Sequence, residues 1–316
     1  MTDRSATNDR DEPAGPLAFE RDLVGPAGAV VRLTPLLRRV VAGNGGPMTF
    51  TGTCTYIVGE GTVAIVDPGP DDDAHVVRLL EAVAGETVSH IVLTHTHRDH
   101  SPASRAVKAA TGAPIVGCGP HRPSREIAVG EAHRLDAASD QDHVPDRIMR
   151  MGDAVSGPGW TLEAVETPGH TANHLAFTLP QEGALLSGDH VMAWSTTVVA
   201  PPDGSMADYM RSIELLRGME HAIYWPGHGG PVREPQRFLR GLVQHRRQRE
   251  AAILNRLRAG DETIQAMVPA IYQDLPEVLR GAAALSVFAQ IEDLVARRVV
   301  LCAEPVPGLS SRYRLV

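Results

Sequence analysis

The stretch Ile91-Val-Leu-Thr-His-Thr-His-Arg-Asp-His100 decides how the rest of the chain is read. Its first four residues are apolar or β-branched, the composition of a buried strand, and they run directly into His-X-His-X-Asp-His. Two histidines one residue apart share a side of an extended or turning backbone, so His95 and His97 can converge on one cation. Asp99 and His100 follow after the turn, where they can face a second cation beside the first. Imidazole nitrogen with carboxylate oxygen suits zinc, and also iron or manganese. No cysteine stands in the stretch, which argues against a purely structural zinc.

Working outward, three more segments each supply one candidate ligand just beyond an apolar run: Thr167-Pro-Gly-His170, Leu186-Ser-Gly-Asp189 and Tyr224-Trp-Pro-Gly-His228. Glycine close before each ligand lets the backbone approach a metal tightly. The seven donors divide into His95, His97 and His170 on one ion and Asp99, His100 and His228 on the other, with Asp189 bridging. A water between two such ions, roughly 3.5–4 Å apart, would have its pKa lowered to near 7. An isolated histidine is more often a surface or core residue than a ligand, but chance is a poor account of seven donors all at strand ends. Asp67, in Val66-Asp-Pro-Gly, reads either as an ordinary turn residue or as the partner that orients a ligand histidine, and we favour the second. Asp99, Asp189 and His174 are the expected catalytic residues, with the His174 imidazole helping the leaving group. His190 reads as a packing residue or a local hydrogen-bond partner.

Residues 1–16 are rich in charge, Pro and Gly and are expected to form a disordered tail. Within residues 17–235, short β-rich runs recur near 29–33, 54–58, 63–66, 91–94 and 114–117, then near 161–165, 175–179, 184–186 and 222–224. Helical periodicity covers 74–84 and 102–111. Strands that first accumulate and then alternate with helices predict an α+β domain of two packed sheets covered by helices. Residues 119–150 lose periodicity and collect Pro, Asp and His, as a loop shaping a cleft would. Residues 236–316 differ: helices over 236–258, closed by Gly260, over 262–272, capped by Asp261, and over 279–298, then two short strands joined by a Pro-Gly turn. That is the layout of a winged helix.

Charge and composition narrow the functions. The 316 residues carry a net charge of −8, yet residues 236–316 hold 12 Arg against 8 acidic residues, so the main body is strongly acidic. Broad capture of nucleic acid is therefore not expected, although the arginines at 237, 240, 246 and 247 could receive phosphates locally. The third tail helix is apolar and acidic until Arg297, which makes sequence-specific DNA reading, and hence a metal-sensing DNA-binding regulator, the weakest reading. The tail is expected instead to pack on the catalytic domain, form a homodimer or wall the cleft. Three distant cysteines indicate neither disulfides nor a thiolate zinc site, and the polar N-terminus has no apolar signal segment. No run of eighteen apolar residues occurs, so no membrane association is expected, and the predicted setting is cytoplasmic.

With these residues in view, the chain resembles the metallo-β-lactamase superfamily over about residues 17–235. His95, His97, Asp99, His100, His170, Asp189 and His228 correspond in order and context to its metal-binding motifs, with Asp67 matching the first. The resemblance implies an αββα sandwich with a dimetal cleft at one edge of its sheets and a small C-terminal winged-helix domain. Thr167-Pro-Gly-His-Thr, Asp208-Tyr-Met-Arg-Ser, Pro226-Gly-His-Gly and the tail look most like the β-lactamase-like protein 2 group. That group commonly has Asn where Cys54 stands. It includes endoribonucleases acting on single-stranded RNA and thioesterases releasing acyl chains from carrier proteins. The resemblance thus implies a hydrolase with two divalent ions, zinc first. Its substrate is expected to be a phosphodiester of single-stranded RNA or, alternatively, a small-molecule or carrier-bound thioester, in the manner of glyoxalase II. A bridging Asp189 is typical of glyoxalase II and nuclease relatives, so antibiotic hydrolysis is not expected.

Overall fold

A computed structural model describes residues 17–23, 25–127 and 138–316, so the tail expected at 1–16 lies outside the described residues. The first sheet is built from β1 (Val30–Arg32), β2 (Leu37–Val41), β3 (Cys54–Glu60) and β4 (Thr62–Val66). After α1 (Asp73–Ala82) come β5 (Thr87–Leu93), α2 (Ala103–Thr111), β6 (Ile115–Gly117) and β7 (Arg147–Ile148). These seven strands lie in chain order, antiparallel from β1 to β4 and parallel from β4 to β7. The change of sense follows the connections: hairpins join the early strands, whereas α1 and α2 carry the chain back across the sheet.

The second sheet contains β8 (Ala154–Gly157), β9 (Trp160–Glu166), β10 (Leu175–Leu179), β11 (Ala184–Gly188) and, after α3 (Met206–Arg217), β12 (Ile223–Pro226). Its order is β12-β11-β10-β9-β8, with only β11 and β12 parallel. Strict alternation assigns its two faces. Leu162, Ala164, Leu175, Phe177 and Leu186 join the core shared with the first sheet. Val165, Ala176, Leu185 and Tyr224 instead meet Tyr209 and Ile213 of α3. Each fully buried Leu, Ile or Phe contributes about 1.5–3 kcal/mol relative to exposure. The result is the expected αββα sandwich.

The tail comprises α4 (Pro235–Arg258), α5 (Ile264–Ile271), α6 (Arg280–Ala296), β13 (Val300–Cys302) and β14 (Tyr313–Leu315), the last two paired antiparallel. This is the predicted winged helix. α4 is longer than either core needs. Leu239, Leu242 and Val243 pack with α3 against the second sheet, whereas Ile253 and Leu257 pack with α5 and α6. One expectation is corrected here: Asp261 does not cap α5. The cap is Thr263, whose hydroxyl accepts from the Ala266 N–H, and Asp261 turns back to pair with Arg256.

Every sequence-predicted donor lies at the same edge of the sandwich. β4 and β5 end directly before Asp67 and Thr94-His95, and β11 and β12 end directly before Asp189 and Gly227-His228, while His170 sits in the β9–β10 connection. Within the long segment between Gly119 and Arg150, residues 128–137 lie outside the described residues. The part at 138–140 pairs with the histidine loop, the Arg98 N–H donating to Ala138 O and the Asp140 N–H to Thr96 O.

Candidate metal centre

The donor atoms form two groups that share one carboxylate. His95, His97, His170 and Asp189 bring one ligand atom each within 4.8 Å of one another, and so do Asp99, His100 and His228. In the first group His97 Nδ1 lies 3.2 Å from His95 Nε2 and 2.9 Å from His170 Nε2. In the second, His228 Nε2 lies 3.1 Å from Asp99 Oδ2 and 3.3 Å from His100 Nε2. Asp189 Oδ2 stands between them, 3.6 Å from His170 Nε2 and 3.3 Å from His228 Nε2. The structure therefore brings together all seven donors singled out in the sequence.

Whether this set suits a cation can be tested from the far side of each ring. His170 Nδ1 faces Val198 O at 2.7 Å and His228 Nδ1 faces Gly52 O at 3.2 Å, and a carbonyl only accepts, so both Nδ1 atoms carry the proton. His100 Nδ1 donates to Asp67 Oδ2 at 3.0 Å. The Thr94 hydroxyl spends its proton on that same carboxylate oxygen and so accepts from His95 Nδ1 at 2.9 Å. In neutral rings all four Nε2 atoms then present lone pairs to the centre, alongside two carboxylates. Such a set repels itself unless positive charge lies inside it. Asp189 Oδ1, buried and without a hydrogen bond, points the same way. The donors fit divalent ions.

The electrostatics agree. Burial pulls the His100 and His228 rings down, but the neighbouring Asp99 and Asp189 carboxylates outweigh it and raise both, His228 to about 10. Burial raises the Asp189 carboxyl, yet His228 and His100 hold it well below the usual carboxylate range. His97 has less help: burial first and His170 second push it down to about 3. Without ions, protons on His100 and His228 would supply the missing charge.

Outer contacts hold the donors. Asp67 accepts from the Thr94 N–H at 2.8 Å as well as from the Thr94 hydroxyl and His100, and does so from a left-handed backbone, φ 50°. It thus has the orienting role favoured from the sequence. Gly227 is required by space, since a Cβ there would lie 2.4 Å from Asp189 Oδ1. Two contributors were missed. Thr53 donates to Asp99 Oδ2 at 3.4 Å and is itself gripped by Asn44, which accepts its N–H and donates to its hydroxyl. Cys54 is buried against Gly229 O and does not line the cleft; burial pushes its thiol up to about 11.

His174 departs from expectation. Its Nε2 accepts the Asp189 N–H at 3.2 Å, so its Nδ1 carries the proton and donates to Thr167 Oγ1 at 2.8 Å. Both nitrogens are committed and the ring is buried, which leaves no proton for a leaving group; it positions Asp189 instead. His190 packs against Tyr209, 4.6 Å between ring centroids.

Over the donors opens a cleft of about 520 Å³. Met48, Met192, Val198 and Ala200 line it from the sandwich, and Val278, Ala282 and Leu285 wall it from the tail. Beyond the donors, its charged residues are Arg98 and Asp203. The arginines considered for phosphate lie elsewhere: Arg237 pairs with Glu234, and buried Arg246 donates to Thr197 O and covers the Tyr209 ring.

Residues 48–228 match the family model for the metallo-beta-lactamase superfamily, and residues 263–303 match that for the beta-lactamase associated winged helix domain. The chain belongs to the metallo-beta-lactamase superfamily. Members of this superfamily typically bind divalent metal ions, and the chain is a hydrolase of this superfamily. This superfamily hydrolase is 31% identical over 270 residues to the beta-lactamase-like protein 2 homolog of Drosophila melanogaster, covering 82% of the chain and 87% of that relative. It is 29% identical over 228 residues to the atrochrysone carboxyl ACP thioesterase of Aspergillus fumigatus, covering 70% and 65%. A beta-lactamase domain protein from Burkholderia ambifaria has the same fold, with a TM-score of 0.76 at 19% identity over 93% of this chain and 96% of that one. Among the described residues, no helix of this metallo-beta-lactamase superfamily hydrolase is long and apolar enough to cross a membrane.

Proposed function

We propose that this hydrolase is a dinuclear thioesterase that releases an apolar acyl chain from a thiol carrier. In this reading residues 17–235 form the catalytic unit and 236–316 the helical one. His95, His97 and His170 would hold one divalent ion and Asp99, His100 and His228 the other, with Asp189 placed among both groups of donors. Zinc is the first expectation for an N/O set of this kind. When bound, the ions would supply the positive charge that ionises water and polarises a carbonyl.

The observation that carries the reading is the lining of the cleft, apolar on two sides with one arginine and an additional carboxylate. Single-stranded nucleic acid needs a run of positive charge along its backbone, and Asp203 would repel it. An acyl chain needs an apolar wall and no cation. The Aspergillus fumigatus relative, named as an acyl-carrier thioesterase, points in the same direction.

The chain's own residues prepare the reaction. Asp189 is held at both backbone ends, its N–H by His174 and its carbonyl by the Thr197 hydroxyl at 2.7 Å. Asp67 and Thr53 fix His100 and Asp99. Water adds to the thioester carbonyl carbon, the C–S bond breaks, and a carboxylate, a thiol and one proton to solvent are released. A thiol of pKa about 8.5 leaves readily as thiolate, so the commitment of both His174 nitrogens does not obstruct this leaving group as it would an alkoxide. Asp203, accepting from the Ser139 hydroxyl and facing His121, is likewise no proton donor.

The test is to incubate zinc- or manganese-loaded protein with acyl thioesters and, separately, with end-labelled single-stranded RNA. Thioester turnover that a chelator abolishes, with the RNA intact, is expected. Cleaved RNA beside inert thioesters would overturn the reading.

A further inference from the structure

We infer that the cleft-facing stripe of α6 measures the acyl chain, with Ala282 setting how far it can extend. The inference rests on the thioesterase reading for its substrate and on the geometry of α6 for the rest.

α6 and the turn before it carry two apolar faces. Ala283, Val287, Phe288, Ile291 and Leu294 fill the core of the tail. Val278, Ala282 and Leu285, spaced four and three apart, form a second stripe that adds nothing to that core and lines the metal cleft. A helix needs one apolar stripe to dock on its own domain, so a second one left facing solvent calls for an apolar partner. The stripe is open: Val278 is 71% exposed. Across the cleft stand Met48, itself 50% exposed, Met192 and Val198, and at its floor stand His170, Asp189 and His228.

The volume selects the occupant. About 520 Å³ lies in the range of roughly 300–1,000 Å³ typical of small-molecule pockets and is far too little for a docked helix. A ligand whose reactive carbonyl sits at the donors and whose tail runs out between α6 and Met192 satisfies both ends of the cleft. Ala282 is the smallest side chain of the stripe and, like Leu285, is half-buried where Val278 is open, so a larger side chain there would narrow the path left for the tail.

The experiment uses metal-loaded protein and the non-hydrolysable S-alkyl thioethers of N-acetylcysteamine, from ethyl to octyl, measured by calorimetry. Affinity in the unaltered protein should rise about fourfold per added methylene. Ala282→Trp should weaken octyl binding roughly tenfold or more while leaving ethyl binding within about twofold. Leu285→Ala, which removes bulk and so guards against a misfolded tryptophan variant, should lower octyl affinity and flatten the length series. Hydrolysis of the matching acyl thioesters should follow through KM with kcat little changed. A length-independent series, or Ala282→Trp and Leu285→Ala variants with the unaltered protein's series, would overturn the inference. If the thioethers bind with the expected length dependence but no thioester is hydrolysed, the measuring wall stands and the thioesterase reading falls.

Discussion

The backbone N–H of Asp189 donates to His174 Nε2 at 3.2 Å, so a histidine without a place among the donors sets the position of the carboxylate that both groups share. His174→Ala should lower kcat/KM about 10–100-fold, the usual cost of removing a residue that orients a ligand. Because the ring donates no proton to the substrate, the loss should be equal for thioesters with good and poor leaving groups. A loss that grows as the leaving thiol becomes more basic would restore His174 as an acid.

Asp67 ties His100 to Thr94, and through Thr94 to His95, so one carboxylate steadies one ring from each group. Asp67→Asn should reduce metal affinity about 10–100-fold, read by competition with a chromogenic chelator. Unchanged retention of both ions would contradict this arrangement.

Gly227 has no room for a methyl group. Gly227→Ala places a carbon against Asp189 Oδ1 and His100 Cε1, at 2.4 and 2.7 Å before relaxation. The displacement should cost about 1–3 kcal/mol of stability and most of the metal content, measured by thermal unfolding with elemental analysis.

His75 supplies a pH dependence apart from the metal. Burial drives its ring down from 6.5 to about 4, so the folded protein resists protonation that the unfolded chain accepts. Stability is complete above 6.5 and is lost as pH falls towards 4, by up to about 3 kcal/mol. Denaturant unfolding between pH 7 and 4 should reveal this slope, to which the similarly depressed His190 and His245 add, and His75→Gln should reduce it.

Much of the fold was legible because its periodicities are strict. Leu162-Glu-Ala-Val and Leu175-Ala-Phe-Thr-Leu alternate as strands must, and all seven donors stand where an apolar run stops. β2 escaped because buried Arg39 interrupts its apolar pattern, and α3 because its helical spacing, Met206, Tyr209, Ile213 and Leu216, begins in a Pro-Gly-rich stretch that resembles a loop. Asp261 and Thr263 are both able caps, and only the observed start of α5 separates them. The roles of Thr53 and Asn44 depend on distances across a turn, which composition does not encode. His174 was misjudged for a related reason: residue type advertises a proton donor, and only the Asp189 N–H reveals that the ring is an acceptor.

A single 24-residue helix, α4, belongs to two hydrophobic interiors at once. Melting either interior strips apolar cover from the other, so heat should bring both down in one calorimetric peak rather than two. The reactive edge and its tail-borne wall would then be lost together, and severing the chain at residue 235 would yield a sheet without its roof, not a smaller enzyme.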